Sequence, residues 1–317
     1  MTFTKLSDII LGNRRRLSNV KSKNNESDKI ISKSQQKLLD AAEVISNILP
    51  QEIGFVCRST VYASLPHSKV NNLQYTRKSN KIALSIIGNE LAGGVPYGTY
   101  PRLILSWLAS EVVKTQSREV ILGESLSDFM KSLGLFVTGG KWGTIARFKE
   151  QLKRLFSSTI SVTYEEKENW VYVSMNIADK ALIFWDPNAP EQIDLFKSKI
   201  LLSENFYNEI IKAPIPVDIR AINALKDSSL ALDIYCWLTY RMSYVKNSVI
   251  ISFDNLQVQF GAGYAETPHG KYEFKRKFLM QLKKVMVIYP RASVMINQDH
   301  IILKPSPSHI RKKYSIV

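Results

Sequence analysis

Apolar residues recur at helical spacing in two stretches that lie 130 residues apart. Leu103, Ile104, Trp107, Leu108 and Val112 share one helical face, and Leu230, Ile234, Trp237, Leu238 and Met242 share another. The two stretches match residue by residue without a gap. Trp107-Leu108 recurs as Trp237-Leu238, Leu126 as Leu256, Lys141 as Lys271 and Phe148 as Phe278; Gln151-Leu152-Lys153 recurs as Gln281-Leu282-Lys283. A period this long is a domain repeat rather than a solenoid.

Both copies continue alike. A β-rich run (residues 119–122 and 249–253) precedes a short capped helix, with Ser125 and Asp128 in the first copy and Asp254 in the second, ending near Gly134 and Gly261. A glycine-bearing turn then leads into a basic amphipathic helix. Its apolar stripe is Ile145, Phe148, Leu152 and Leu155 in copy one, and Phe274, Phe278, Leu282 and Val285 in copy two. Two short strands close each copy, 160–164 with 170–173 and 294–296 with 301–303. Helix, strand, helix, helix, hairpin is the order of a winged helix-turn-helix. The expected fold is α+β, two tandem winged-helix domains behind a flexible basic N-terminal arm. The domains expected are 1–79 (arm and a helix over 35–49), 80–190 and 191–317, with a seam at Asp186-Pro187-Asn188-Ala189-Pro190.

Charge separates the two copies. The chain of 317 residues has a net charge of +15, which calls for a polyanionic partner. Residues 1–80 and 191–317 each contribute +7, whereas 81–190 contribute only +1. No apolar stretch is long enough to cross a bilayer, since Leu230–Met242 is short and interrupted by Asp233 and Arg241, so no membrane partner is expected. The two cysteines, Cys57 and Cys236, form no CxxC pair, which excludes a cysteine zinc site and fits a cytoplasmic protein.

A winged helix reads duplex DNA by laying its last helix in the major groove, and the apolar stripe fixes which side faces the bases. In copy two that side holds Tyr272, Arg276, Met280 and Lys283, flanked by Lys275, Lys277 and Lys284, with Lys271 in the first turn and Arg291 at the base of the wing. Arg276 suits bidentate base contact; the lysines suit phosphates. In copy one it holds Arg147, Lys153 and Arg154 beside Glu150, and the wing tip is acidic, with Glu165, Glu166 and Glu168. Copy two is therefore the expected principal DNA reader. Copy one is expected to serve dimerisation, with a weaker DNA role.

Several runs also carry a family likeness. Gly93-Gly94-Val95-Pro96-Tyr97-Gly98-Thr99-Tyr100-Pro101-Arg102, Lys114-Thr115-Gln116-Ser117-Arg118-Glu119, Thr138-Gly139-Gly140-Lys141-Trp142-Gly143-Thr144, Pro216 to Ala221 and Ser229 to Arg241 resemble the plasmid-encoded RepA family of bacterial replication initiators. The likeness covers residues 80–310 and none of the first 80. It implies binding to repeated origin sequences (iterons), opening of the duplex beside them, recruitment of host DnaA and DnaB, and a possible homodimer. The same two domains would also serve a transcriptional repressor.

Enzymatic readings find little support. His67, His269, His300 and His309 are scattered, without the His-x-His pair of a rolling-circle nickase, and no DxD offers a magnesium site. The Gly93–Gly98 loop lacks the GK[ST] ending of a P-loop, and a turn in which Thr99 caps the next helix is the simpler reading. No catalytic group and no cofactor are expected.

Overall fold

The computed structural model describes residues 32–48, 53–62, 64–79, 82–141, 143–166, 169–185 and 198–310. Most of the basic arm, the seam at 186–190 and residues 167–168 of the first wing tip lie outside the described residues. The elements, in order, are α1 (Lys33–Asn47), β1 (Ile53–Val56), α2 (Arg58–Tyr62), β2 (Gln74–Ser79), β3 (Ile82–Ile87), α3 (Thr99–Thr115), β4 (Glu119–Ile121), α4 (Leu126–Ser132), α5 (Thr144–Phe156), β5 (Thr159–Glu166) and β6 (Asn169–Asn176). They continue as β7 (Ala178–Leu182), β8 (Lys199–Leu202), α6 (Glu204–Lys212), β9 (Ile215–Asp218), α7 (Ile219–Leu225), α8 (Ser229–Met242), β10 (Val249–Ser252), α9 (Phe253–Phe260), α10 (Pro268–Ile288), β11 (Val294–Ile296) and β12 (His300–Leu303). The fold is α+β. Among the described residues no helix is long and apolar enough to cross a membrane.

The repeated residues occupy matching places in the core. Trp107 packs edge-on against Phe129 with ring centroids 4.8 Å apart, and Trp237 against Phe260 at 5.6 Å. Each of those phenylalanines meets the repeated phenylalanine of the long helix at 5.7 Å, Phe129 with Phe148 and Phe260 with Phe278. Both helical stripes are buried as their spacing requires. Side chains three and four apart stand on one face of a helix, so a single aromatic column fixes the angle between short and long helix in each copy.

The sheets depart from a simple duplication. In the second copy β10 pairs with β12 and β12 with β11, Ile251 opposite Ile301 and Val294 opposite Leu303. That is the closed three-stranded sheet of a winged helix. In the first copy the hairpin β5–β6 forms, but its free side is taken by β3, Ile82 opposite Tyr164, giving the order β2-β3-β5-β6. Strand β4 instead pairs with β8, which pairs with β7, so that Val120 and Ile200 are buried together. The expected helices and closing hairpin repeat in both copies, whereas the sheet around the hairpin differs between them.

Residues 53–79, read from sequence as part of an arm, supply three elements of the body. Strand β1 pairs with β9, Ile53 opposite Asp218, and β2 with β3. Residues 37–317 form one compact unit, and the remainder, Met1–Gln36, is a separate one. The short helix of copy two is capped by Ser252, whose Oγ accepts from the Asn255 amide; Asp254, the expected cap, sits in its first turn. Helix α3 begins at Thr99 behind Gly98 at φ 79°, a left-handed backbone that favours glycine, so Thr99 is the first helical residue and not the cap.

A buried ion pair joins the halves. The Arg102 guanidinium on α3 holds Asp233 on α8 bidentately, Nε to Oδ1 at 2.7 Å and Nη2 to Oδ2 at 2.8 Å. It also donates to the carbonyls of Gly98, Pro66 and Leu65, while His67 Nε2 lies 2.7 Å from Asp233 Oδ2. Burial works to raise the Asp233 carboxyl, but the Arg102 charge and these hydrogen bonds outweigh it and hold the group below the usual carboxylate range.

Candidate nucleic-acid interface

Helix α10 starts on a side-chain cap, Thr267 Oγ1 accepting from the Gly270 amide, with Pro268 in its first turn. Phe274, Phe278, Leu282, Val285 and Ile288 bury one side. At 100° per residue the opposite side is Tyr272, Arg276, Met280 and Lys283, and all four are exposed. Lys271 is exposed beside them, while Lys275, Lys277 and Lys284 flank the face half-buried.

Local ion pairs order part of this face. Lys271 Nζ lies 2.7 Å from Asp254 Oδ1 at the start of α9, which raises the lysine above its ordinary value. Lys275 Nζ donates to the Gln298 carbonyl at the wing tip and stands 5.0 Å from the Phe253 ring centroid. That contact ties the helix to the wing turn, which is itself held by Asn297 and His300 and by the Phe253 amide donating to Asp299 O. Arg276 is gripped by Glu273, Nε to Oε1 at 3.1 Å and Nη2 to Oε2 at 2.7 Å. Arg291 is exposed, but the helix ends at Ile288, about 18 Å along its axis from Arg276 at 1.5 Å per residue, and Arg291 lies beyond that end. It therefore does not join the cluster at the front of the helix.

The first copy presents less. Arg147 and Lys153 are exposed on α5, but Arg154 is buried at 3% exposure and is removed from the candidate DNA contacts. Its Nη2 holds Glu150 Oε1 at 2.6 Å and its Nη1 donates to Val95 O at 3.1 Å. A Cβ added at Gly93 would come within 3.1 Å of the same guanidinium, so the glycine loop packs closely around an arginine of its own chain. Burial follows from position: one turn beyond Gln151, whose Oε1 accepts the Tyr97 amide, Arg154 faces the body and not the groove. On β6 the rings of Trp170 and Tyr172 are exposed and stacked at 5.8 Å, next to Glu165.

Sequence reasoning missed Glu273 and the Arg102–Asp233–His67 cluster. The first had a signal, an acid three residues before an arginine on one helix. The second had none, because its three members come from distant parts of the chain.

The family model described as plasmid encoded RepA protein matches residues 95–255. No curated protein matches the sequence. Among solved structures, the chain is similar to the crystal structure of selenomethionine derivatives of domain 2 and domain 3 of RctB, at a TM-score of 0.50 and 9% identity. That match covers 84% of this chain and 98% of the other; at such identity the likeness is one of fold.

Proposed function

The chain belongs to the plasmid-encoded RepA family, and from that premise we propose that it is a plasmid replication initiator which binds repeated sequences in its origin through α10. The observation that carries this reading is the face of α10, where Tyr272, Arg276, Met280 and Lys283 stand exposed opposite a fully buried apolar stripe, with a wing tied alongside. A helix so held enters a major groove as a rigid reader. Bound at successive direct repeats, the protein spends part of its binding energy on bending and unstacking the duplex. It would recruit host DnaA and DnaB, and dimerise through its less basic first copy. No chemistry of its own is assigned to it.

Purified full-length protein, footprinted on the DNA flanking its gene, tests this reading. Protection of direct repeats supports initiation; protection of one inverted repeat alone supports a repressor. A covalent tyrosyl adduct on supercoiled origin DNA with Mg²⁺ would support a nickase instead. Within the interface, Arg276→Ala is expected to cost about 1–3 kcal/mol and relax sequence preference. Lys283→Ala should weaken binding evenly and reduce the salt slope by about one. Arg147→Ala should cost less than Arg276→Ala on the same DNA; the reverse order in a binding titration would move the principal reader to the first copy.

A further inference from the structure

The contact between Glu273 and Arg276 has a consequence for how bases are read. A guanidinium offers five N–H donors in a fixed plane. Glu273 takes them from the side, one from Nε at 3.1 Å and one from Nη2 at 2.7 Å. Two donors on Nη1 and one on Nη2 are left, and one from each of these nitrogens makes the parallel end-on fork. That fork has the geometry that meets guanine O6 and N7 together. We propose that Glu273 is a specificity-determining positioning residue: it fixes the Arg276 guanidinium side-on so that its free end reads a guanine in the major groove.

Three features of the pair favour this over an idle surface contact. The carboxylate engages both the Nε and the Nη2 edge, which sets the plane of the guanidinium and not merely its distance. Both residues stand on α10 between Tyr272 and Met280, on the exposed side of the rod. The pair is one-third to one-half exposed, 49% for the arginine and 30% for the glutamate, so its own contribution to stability is small. An acid placed on a face meant for phosphates also costs affinity for every sequence, and that cost needs a compensating role. Orientation supplies one: an arginine held in plane gives up less side-chain entropy when it reaches a base.

The inference rests on α10 being the reader, and the experiment separates the two. Full-length protein is selected against a randomised duplex library, and base preferences are compared for the native chain, Arg276→Ala, Glu273→Ala and Glu273→Gln. Affinity for unselected duplex and its salt dependence are measured in parallel. Arg276→Ala should erase one guanine preference. Glu273→Ala should weaken that same preference by about tenfold, within the range of one bidentate base contact, while tightening binding to unselected duplex. Glu273→Gln, which keeps the shape but loses the paired acceptor, should fall between the native chain and Glu273→Ala. If Glu273→Ala tightens all sequences alike and leaves the guanine position intact, the positioning role is overturned. If Arg276→Ala leaves every base preference intact, α10 is not the reader and the functional reading itself fails.

Discussion

Asp233→Ala lowers the unfolding free energy by about 3–5 kcal/mol, the cost of leaving a buried guanidinium without its counter-charge. Arg102 has 8% of its side chain exposed and Asp233 11%, so water does little to replace the lost carboxylate. The guanidinium is also committed on its other side to Gly98 O, Pro66 O and Leu65 O. Turning it towards solvent would strip those carbonyls of their donor. Urea titration of the native chain and of Asp233→Ala measures the loss directly. A second variant, Arg102→Met with Asp233→Leu, removes both charges but also strips those three carbonyls of their donor; stability no lower than that of Asp233→Ala would show that the unpaired buried charge is the larger cost. A cost below about 1 kcal/mol for Asp233→Ala would mean that the pair behaves like a surface salt bridge and does not fasten α3 to α8.

Which parts of this molecule are legible in its sequence follows from which forces are local. The two aromatic columns are legible because Trp107, Phe148, Trp237 and Phe278 are single large side chains whose spacing fixes their face. The exposed side of α10 follows from its buried side by rotation alone. Strand partnership does not follow in this way. Nothing in Glu119-Val120-Ile121 distinguishes a strand that closes a wing from one that pairs with residues 199–201, as this one does. Pairing is decided by which long-range neighbour covers the apolar face, and β3 had already taken the place beside β5. Arg154 failed for a related reason. On a helical wheel it borders the basic side, yet a loop 59 residues upstream supplies Val95 O, and a guanidinium with both an acceptor and a carboxylate in reach can be buried. Charge counts see composition, not partners. Glu273 is legible in spacing, an acid three residues before an arginine on one helix.

Acidification below about pH 6.5 destabilises the folded chain, losing about 2–3 kcal/mol by about pH 4.5 from His309 alone. The His309 ring sits between two tyrosines: Tyr235 Oη lies 2.8 Å from its Nδ1, and the Tyr289 ring lies tilted against it with centroids 4.6 Å apart. Burial lowers the imidazole from 6.5 to about 4, with the Arg291 and Arg220 charges adding to burial and Asp218 opposing it. The folded protein therefore keeps this ring neutral where the unfolded chain takes up a proton. A group depressed in this way contributes its full stability above the unfolded value of 6.5 and loses it progressively as pH falls towards 4. His67 works in the same direction, since burial lowers it too, against the pull of Asp233. His309→Gln removes the titrating ring but leaves an amide within reach of Tyr235. Urea midpoints for the native chain and this variant, taken at several pH values across the window, measure the effect. The native midpoint should fall steeply between about pH 6.5 and 4.5, and the variant should be less stable near neutrality but visibly flatter. Equal slopes for the two proteins would show that His309 is hydrated in the folded state, and that the C-terminal residues around it do not close over α8 as the Tyr235 contact implies.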